Sequence, residues 1–248
     1  SAGLDLIQTA DSFFLARLRA IDPSWKVDYA AVEPLAKRWN TTGFLSNAEL
    51  ATEIESFLFA HGVSRREYVE DRVPRRGMRQ PLSAAQRAQV WDIREQVVGA
   101  MEEKGAFSKN YSRLKLIEHL EAGDGARGDI DAAFVDESQD LTAVGLRALK
   151  LRCARGVVMA GDAGQAIYGL GSPYKRAGID IAGRTKILRT DFRTTCPIHD
   201  AAEQFAALRI ERAQWQGSSS RGHGIASSRA GCGAILVTRA AAAERPGR

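Results

Sequence analysis

Short apolar runs alternate with amphipathic stretches in this chain, and the two periods predict different elements. Ile130-Asp131-Ala132-Ala133-Phe134-Val135, Gly156-Val157-Val158-Met159-Ala160 and Lys186-Ile187-Leu188-Arg189 are brief and rich in β-branched or aromatic residues. They suit buried strands better than helices. Between the first two, Val144, Leu146, Leu149 and Leu151 predict a helix over Thr142 to Leu151. Strand, helix, strand, helix-like segment and strand at this spacing make βαβ units, which predict a parallel sheet with right-handed crossovers. Pro197 opens a further helix through Ile198, Ala201, Ala202 and Phe205.

Upstream the period is helical. The first twenty residues read as a short strand and then a helix with Phe14, Leu15 and Leu18 on one face. Ser46-Asn47-Ala48-Glu49 is a capping box ahead of Leu50, Ile54, Phe57 and Leu58, with Gly62 as a stop. Ser83-Ala84-Ala85-Gln86 is a second box, ahead of Val90, Trp91, Val97, Val98 and Met101, and Gly105 closes that helix. A third helix is predicted from Ser108 to Glu121 with Leu114, Ile117 and Leu120 inward. Beyond about Arg212, Gly217-Ser218-Ser219-Ser220-Arg221-Gly222 and Ser227-Ser228-Arg229-Ala230-Gly231 are flexible by composition, and only Ala234 to Thr238 suits a strand.

Composition narrows the class. The chain has 248 residues with 44% hydrophobic, enough for a sizeable core. No run of about 18 apolar residues occurs, and no basic-then-apolar leader opens the chain, so neither a membrane span nor secretion is expected. Three cysteines without a C-x-x-C fit a reducing, cytoplasmic compartment and suggest neither a disulfide framework nor zinc. The four histidines show no metal spacing and read as surface or helix-end residues; Trp25, Trp39 and Trp91 read as packing. The net charge of +5 sits in the tail: residues 207–248 hold seven Arg and two Glu, leaving 28 basic and 28 acidic residues before them. Total charge therefore speaks only to non-specific attraction. The stretch Arg65 to Arg79 has six arginines and one tyrosine, able to follow a DNA backbone, but three acids interrupt it as in an ordinary solvated loop.

The candidate chemistry stands where the strands end. Asp136, Glu137, Ser138, Gln139 and Asp140 follow the first strand, in the position beyond strand carboxyl ends where open α/β sheets bind ligands. An aspartate there can hold hydrated Mg²⁺, and a neighbouring glutamate can orient a water for attack on a phosphate. A solvated loop after a strand has the same composition. Gly161-Asp162-Ala163-Gly164-Gln165-Ala166-Ile167-Tyr168 follows the second strand, and Thr190-Asp191-Phe192-Arg193-Thr194-Thr195-Cys196-Pro197-Ile198 the third.

In this order and spacing, the three segments resemble the Walker B, glutamine and arginine motifs of UvrD/Rep-type superfamily 1 DNA helicases, over about residues 126–200. The family patterns are roughly V-D-E-x-Q-D, G-D-x-x-Q-x-I-Y and L-x-x-N-Y-R-S. The resemblance implies an α/β fold with a RecA-like P-loop NTPase core, a parallel sheet and an inserted helical subdomain. Residues 1–20 would be the early part of that lobe, 21–125 the insertion, 126–206 the core and 207–248 a flexible basic tail. It implies ATP and Mg²⁺ as cofactors, and single-stranded or partly duplex DNA as partner, in replication or repair. Asp136 would hold Mg²⁺ through water and Glu137 would be general base. Gln165 would sense the γ-phosphate, and Arg193 would neutralise charge on the transferring phosphoryl group. Gln139 and Asp140 would tie the first motif to its neighbours. Thr9-Ala10-Asp11-Ser12-Phe13 is similar to the family's T-x-H-S-F segment, with Asp11 in place of histidine, so Thr9, Ser12, Phe13 and Tyr168 would face nucleic acid; a Ser-capped helix start explains the first three equally well.

The departures are specific. No G-x-x-x-x-G-K-[ST] occurs in the 248 residues, so the chain is expected to begin after that loop and to be inactive alone. Leu170 and Gly171 stand where the family has an aromatic and an arginine, and Asp191 and Phe192 where it has Asn and Tyr. The expected function is part of an ATP-dependent DNA helicase or translocase. The alternative is a helicase-derived module that binds DNA or protein without hydrolysis. A metal-dependent phosphatase or nuclease built on Asp136, Glu137 and Asp140 gives Gln165 and Arg193 no role.

Overall fold

The capping signals recover most of the helices. In the computed structural model, which describes residues 7–75, 80–123, 127–161, 173–188, 197–198, 200–201, 204 and 235–239, α1 (Ala10–Ile21) is capped by Thr9 rather than by Ser12. The Thr9 Oγ1 accepts the Ser12 amide at 3.2 Å, one of the donors a helix start leaves orphaned. Residues 7–9 are not a strand, and 1–6 lie outside the described residues. A two-residue strand β1 (Lys26–Val27) pairs in parallel with β2 (Ala106–Phe107), both inside the helical region.

Within that region α2 (Val32–Trp39) precedes α3 (Asn47–Thr52), whose Ser46–Glu49 capping box is closed in both directions. The helix then widens into π turns over Glu53–Phe59, burying Glu53, Ile54, Phe57, Leu58 and Phe59. A second π segment, Arg66–Glu70, has its own box: the Ser64 amide and hydroxyl donate to Glu67 Oε2 at 2.8 and 2.9 Å. α4 (Ala84–Lys104) starts at the Ser83–Gln86 box, ends at left-handed Gly105, and buries all five of the apolar residues its period assigns inward. α5 (Lys109–Ala122) begins at Ser108 and buries Ile117 and Leu120.

The sheet is where pattern and structure part. β3 (Ile130–Val135) and β4 (Cys153–Gly161) are parallel as expected, joined by α6 (Ala143–Arg152), which lies against β4 and α5. β5 (Thr185–Leu188) does not pair with β4. β6 (Ile235–Arg239), where Ala234 to Thr238 is the strand candidate of the otherwise flexible-reading tail, lies between them and is antiparallel to both. The order is β3-β4-β6-β5, a mixed sheet rather than a parallel one. β3 is also not buried on both faces: Ala133 and Val135 pack on the core, but Phe134 is 82% exposed. At the sheet's edge, only one face of β3 is covered among the described residues. One core runs from the helical region through Val144, Leu146 and Leu149 of α6 to Val157 and Met159 of β4. The architecture is mixed helix and strand, and among the described residues no helix is long and apolar enough to cross a membrane.

Candidate functional site

The acidic turn is held by its own backbone and by the end of β4. Val135 pairs with Met159, so the chain leaving β3 passes beside the last residues of β4. Glu137 takes the left-handed conformation (φ 49°, ψ 43°), a strained state for a residue with a side chain. It turns the chain into the short 3-10 segment Ser138–Asp140, closed by the Asp140 amide donating to Glu137 O at 2.9 Å. Asp136, Glu137 and Asp140 are exposed, while Ser138 and Gln139 are buried. The Gln139 Nε2 donates to Glu137 Oε2 at 2.5 Å, and Asp136 Oδ1 accepts the Glu137 amide at 3.0 Å. Gln139 thus ties to Glu137 itself.

Gly161 sets how close the strand end comes. A Cβ there would run into Gln139 Oε1 and lie 2.8 Å from Ser138 Oγ, so any residue larger than glycine must push these two side chains aside. On another side the Ser138 hydroxyl is 2.9 Å from the Tyr174 hydroxyl of α7 (Pro173–Arg176). A cradle of Gly161, Ser138, Gln139 and Tyr174 therefore presents two exposed carboxylates, Asp136 and Glu137, at the sheet edge.

The remaining expectations divide. Gln165, Tyr168 and Arg193 lie outside the described residues. The strands that lead to them are described. Gly161 pairs with Leu236 and Leu188 with Ile235, so β4 and β5 run the same way and end together at the start of β6. The carboxyl ends of β3, β4 and β5 thus reach one sheet edge.

At the start of α1 the polar groups face one another: Thr9 Oγ1 also donates to Ser12 Oγ at 2.9 Å, and both residues are exposed. Phe13 is half-buried, edge-on to Phe14 at 5.4 Å, with the Arg17 guanidinium 4.9 Å from its ring centre. Asp11 accepts from Arg113 and lies 3.3 Å from both Lys109 Nζ and the Tyr29 hydroxyl.

The arginine-rich stretch is less available than its composition suggests. Tyr68 is fully buried and donates to Glu53 at 2.7 Å; burial first, and then that carboxylate, hold its phenol far above the usual range. Arg75 forks onto both Glu53 oxygens. Arg65, Arg66 and Arg72 remain exposed, while Arg76 and Arg79 lie outside the described residues. His61 is buried rather than superficial, and burial followed by Arg176 lowers its imidazole to about 4. Burial raises the Cys153 thiol to about 11, which leaves no thiolate for nucleophilic work near neutral pH. The Trp residues pack as expected, Trp91 buried and Trp25 edge-on to Phe107 at 5.1 Å.

Sequence reasoning overlooked Tyr174, whose role depends on a partner 36 residues away. It also overlooked the Ser64–Glu67 box, although Ser64-Arg65-Arg66-Glu67 spells that pattern. No family model, no curated protein and no solved structure matches this chain.

Proposed function

We propose that this chain is part of an ATP-dependent DNA helicase or translocase, with residues 126–206 belonging to a RecA-like core. The observation that carries this reading is the meeting of three strand ends, β3, β4 and β5, at one edge, each running into a segment that resembles a family motif. In this reading Glu137 is general base, held by Gln139, while Gln165 would sense the γ-phosphate and Arg193 would neutralise charge on the transferring phosphoryl group.

The donor set fits Mg²⁺ in one particular way. Among the described residues no three His, Cys, Asp or Glu gather as an all-protein metal cage. Asp136 offers an exposed carboxylate instead, which suits an ion that keeps its waters and is bound by one or two carboxylates together with substrate phosphates. Such an ion would neutralise phosphate charge; the protein's part is to hold Asp136 and Glu137 side by side, which the hydrogen-bonded turn does.

The second reading is a module that binds DNA or protein without hydrolysis, which the absence of G-x-x-x-x-G-K-[ST] from the natural full-length polypeptide would favour. DNA-stimulated ATP hydrolysis by the natural full-length polypeptide carrying these residues separates the two. The first reading expects turnover that Glu137→Gln lowers by about 100-fold or more with MgATP binding retained. Intact activity in that variant refutes the general base, and DNA binding without any turnover selects the second reading.

A further inference from the structure

α7 has four residues, yet two of its side chains reach different parts of the molecule. Tyr174 is buried and meets the equally buried Ser138 inside the acidic turn. Arg176 reaches the helical region: its Nε donates to His61 O, its Nη2 to Gly62 O at 3.1 Å, and its Nη1 and Nη2 to the Glu67 oxygens at 3.1 and 3.0 Å. Glu67 meanwhile closes the Ser64 box, so this guanidinium grips the start of the Arg66–Glu70 segment that leads to exposed Arg72.

A single half-buried fork on two carbonyls and a carboxylate fixes position as well as charge, which a lone ammonium cannot do. The intervening backbone is tight: the Ala177 amide donates to Pro173 O at 2.9 Å, and the Ile179 amide to Tyr174 O at 2.8 Å. Lys150 of α6 adds a hydrogen bond to Gly178 O.

We propose that Tyr174 and Arg176 are positioning residues that make α7 a tie between the acidic turn and the Ser64–Glu70 segment, so that displacement at either end is felt at the other. Its consequence for hydrolysis rests on the function proposed above; the tie itself does not.

Amide hydrogen exchange on this chain tests the tie. In Arg176→Gln, the Asp140 and Leu141 amides, hydrogen-bonded in the turn, should exchange about tenfold faster although Arg176 touches neither. In Tyr174→Phe, the Val63 and Tyr68 amides should accelerate in the same way. The double variant should be no worse than the more affected single one. If Arg176→Gln does not fold, Arg176→Lys keeps the charge, loses the fork and gives the same reading. Acceleration confined to the residues each side chain contacts overturns the tie. A second arm uses the natural full-length protein, where Tyr174→Phe should lower kcat for ATP about tenfold with KM unchanged. An active wild type whose kcat is unmoved by Tyr174→Phe overturns the positioning role. A wild type without turnover refutes the hydrolytic reading instead, and the exchange result then decides the tie by itself.

Discussion

Gly161 shows how much a single residue type can fix at a site. The strand end and the acidic turn approach so closely that one methyl group would overlap the side chains of Gln139 and Ser138, both buried, the first bonded to Glu137 and the second to Tyr174. Gly161→Ala should therefore destabilise the fold by about 1–3 kcal/mol, as overpacking of a filled site does. Urea unfolding followed by circular dichroism checks this, and an unchanged midpoint would mean that the turn yields freely. The acids were legible because strand followed by Asp-Glu is a local pattern. The glycine's role was not, since it depends on the register that brings Met159 beside Val135. The left-handed backbone of Glu137 was equally hidden, because nothing in that residue type announces it.

At the scale of elements, what reads well is what closes within a few residues. Ser46 with Glu49, Ser83 with Gln86, and Gly105 after α4 each complete their interactions inside one turn, and each stands where its spelling puts it. The arginine-rich stretch reads poorly because Arg75 and Tyr68 find their partner Glu53 across the helical region. Glu53 and Arg75 are both almost wholly buried, so the pair has no water to fall back on. Glu53→Gln should cost about 3–5 kcal/mol by leaving the Arg75 charge uncompensated. A thermal or urea midpoint measures the loss. The Ser64 box is spelled out but stands among arginines whose composition reads as a solvated loop.

Across the whole molecule the helical region and the sheet share one core and are also joined by polar contacts, and His61 sits where Arg176 crosses between them. Buried first of all, and then facing that guanidinium, its imidazole protonates only near 4, against 6.5 when free. The unfolded chain therefore binds an extra proton between these values, and stability from this group is present above pH 6.5 and is lost as the pH falls toward 4. The melting temperature should decline across that window, and His61→Phe should flatten the decline, since an aromatic ring already packs edge-on to Phe57 there. A slope unaltered by that substitution would assign the acid sensitivity to other groups.

The placement of β6 has a consequence for how the protein is made. β3 and β4 can pair as soon as both have emerged from the ribosome, but among the described residues the sheet neighbour of Thr185–Leu188 is Ile235–Arg239, synthesised almost fifty residues later. Until then β4 shows an open edge and β5 waits unpaired, a long-range closure of the kind that slows folding and invites association between nascent chains. Among the described strands, the one translated latest completes the middle of the sheet.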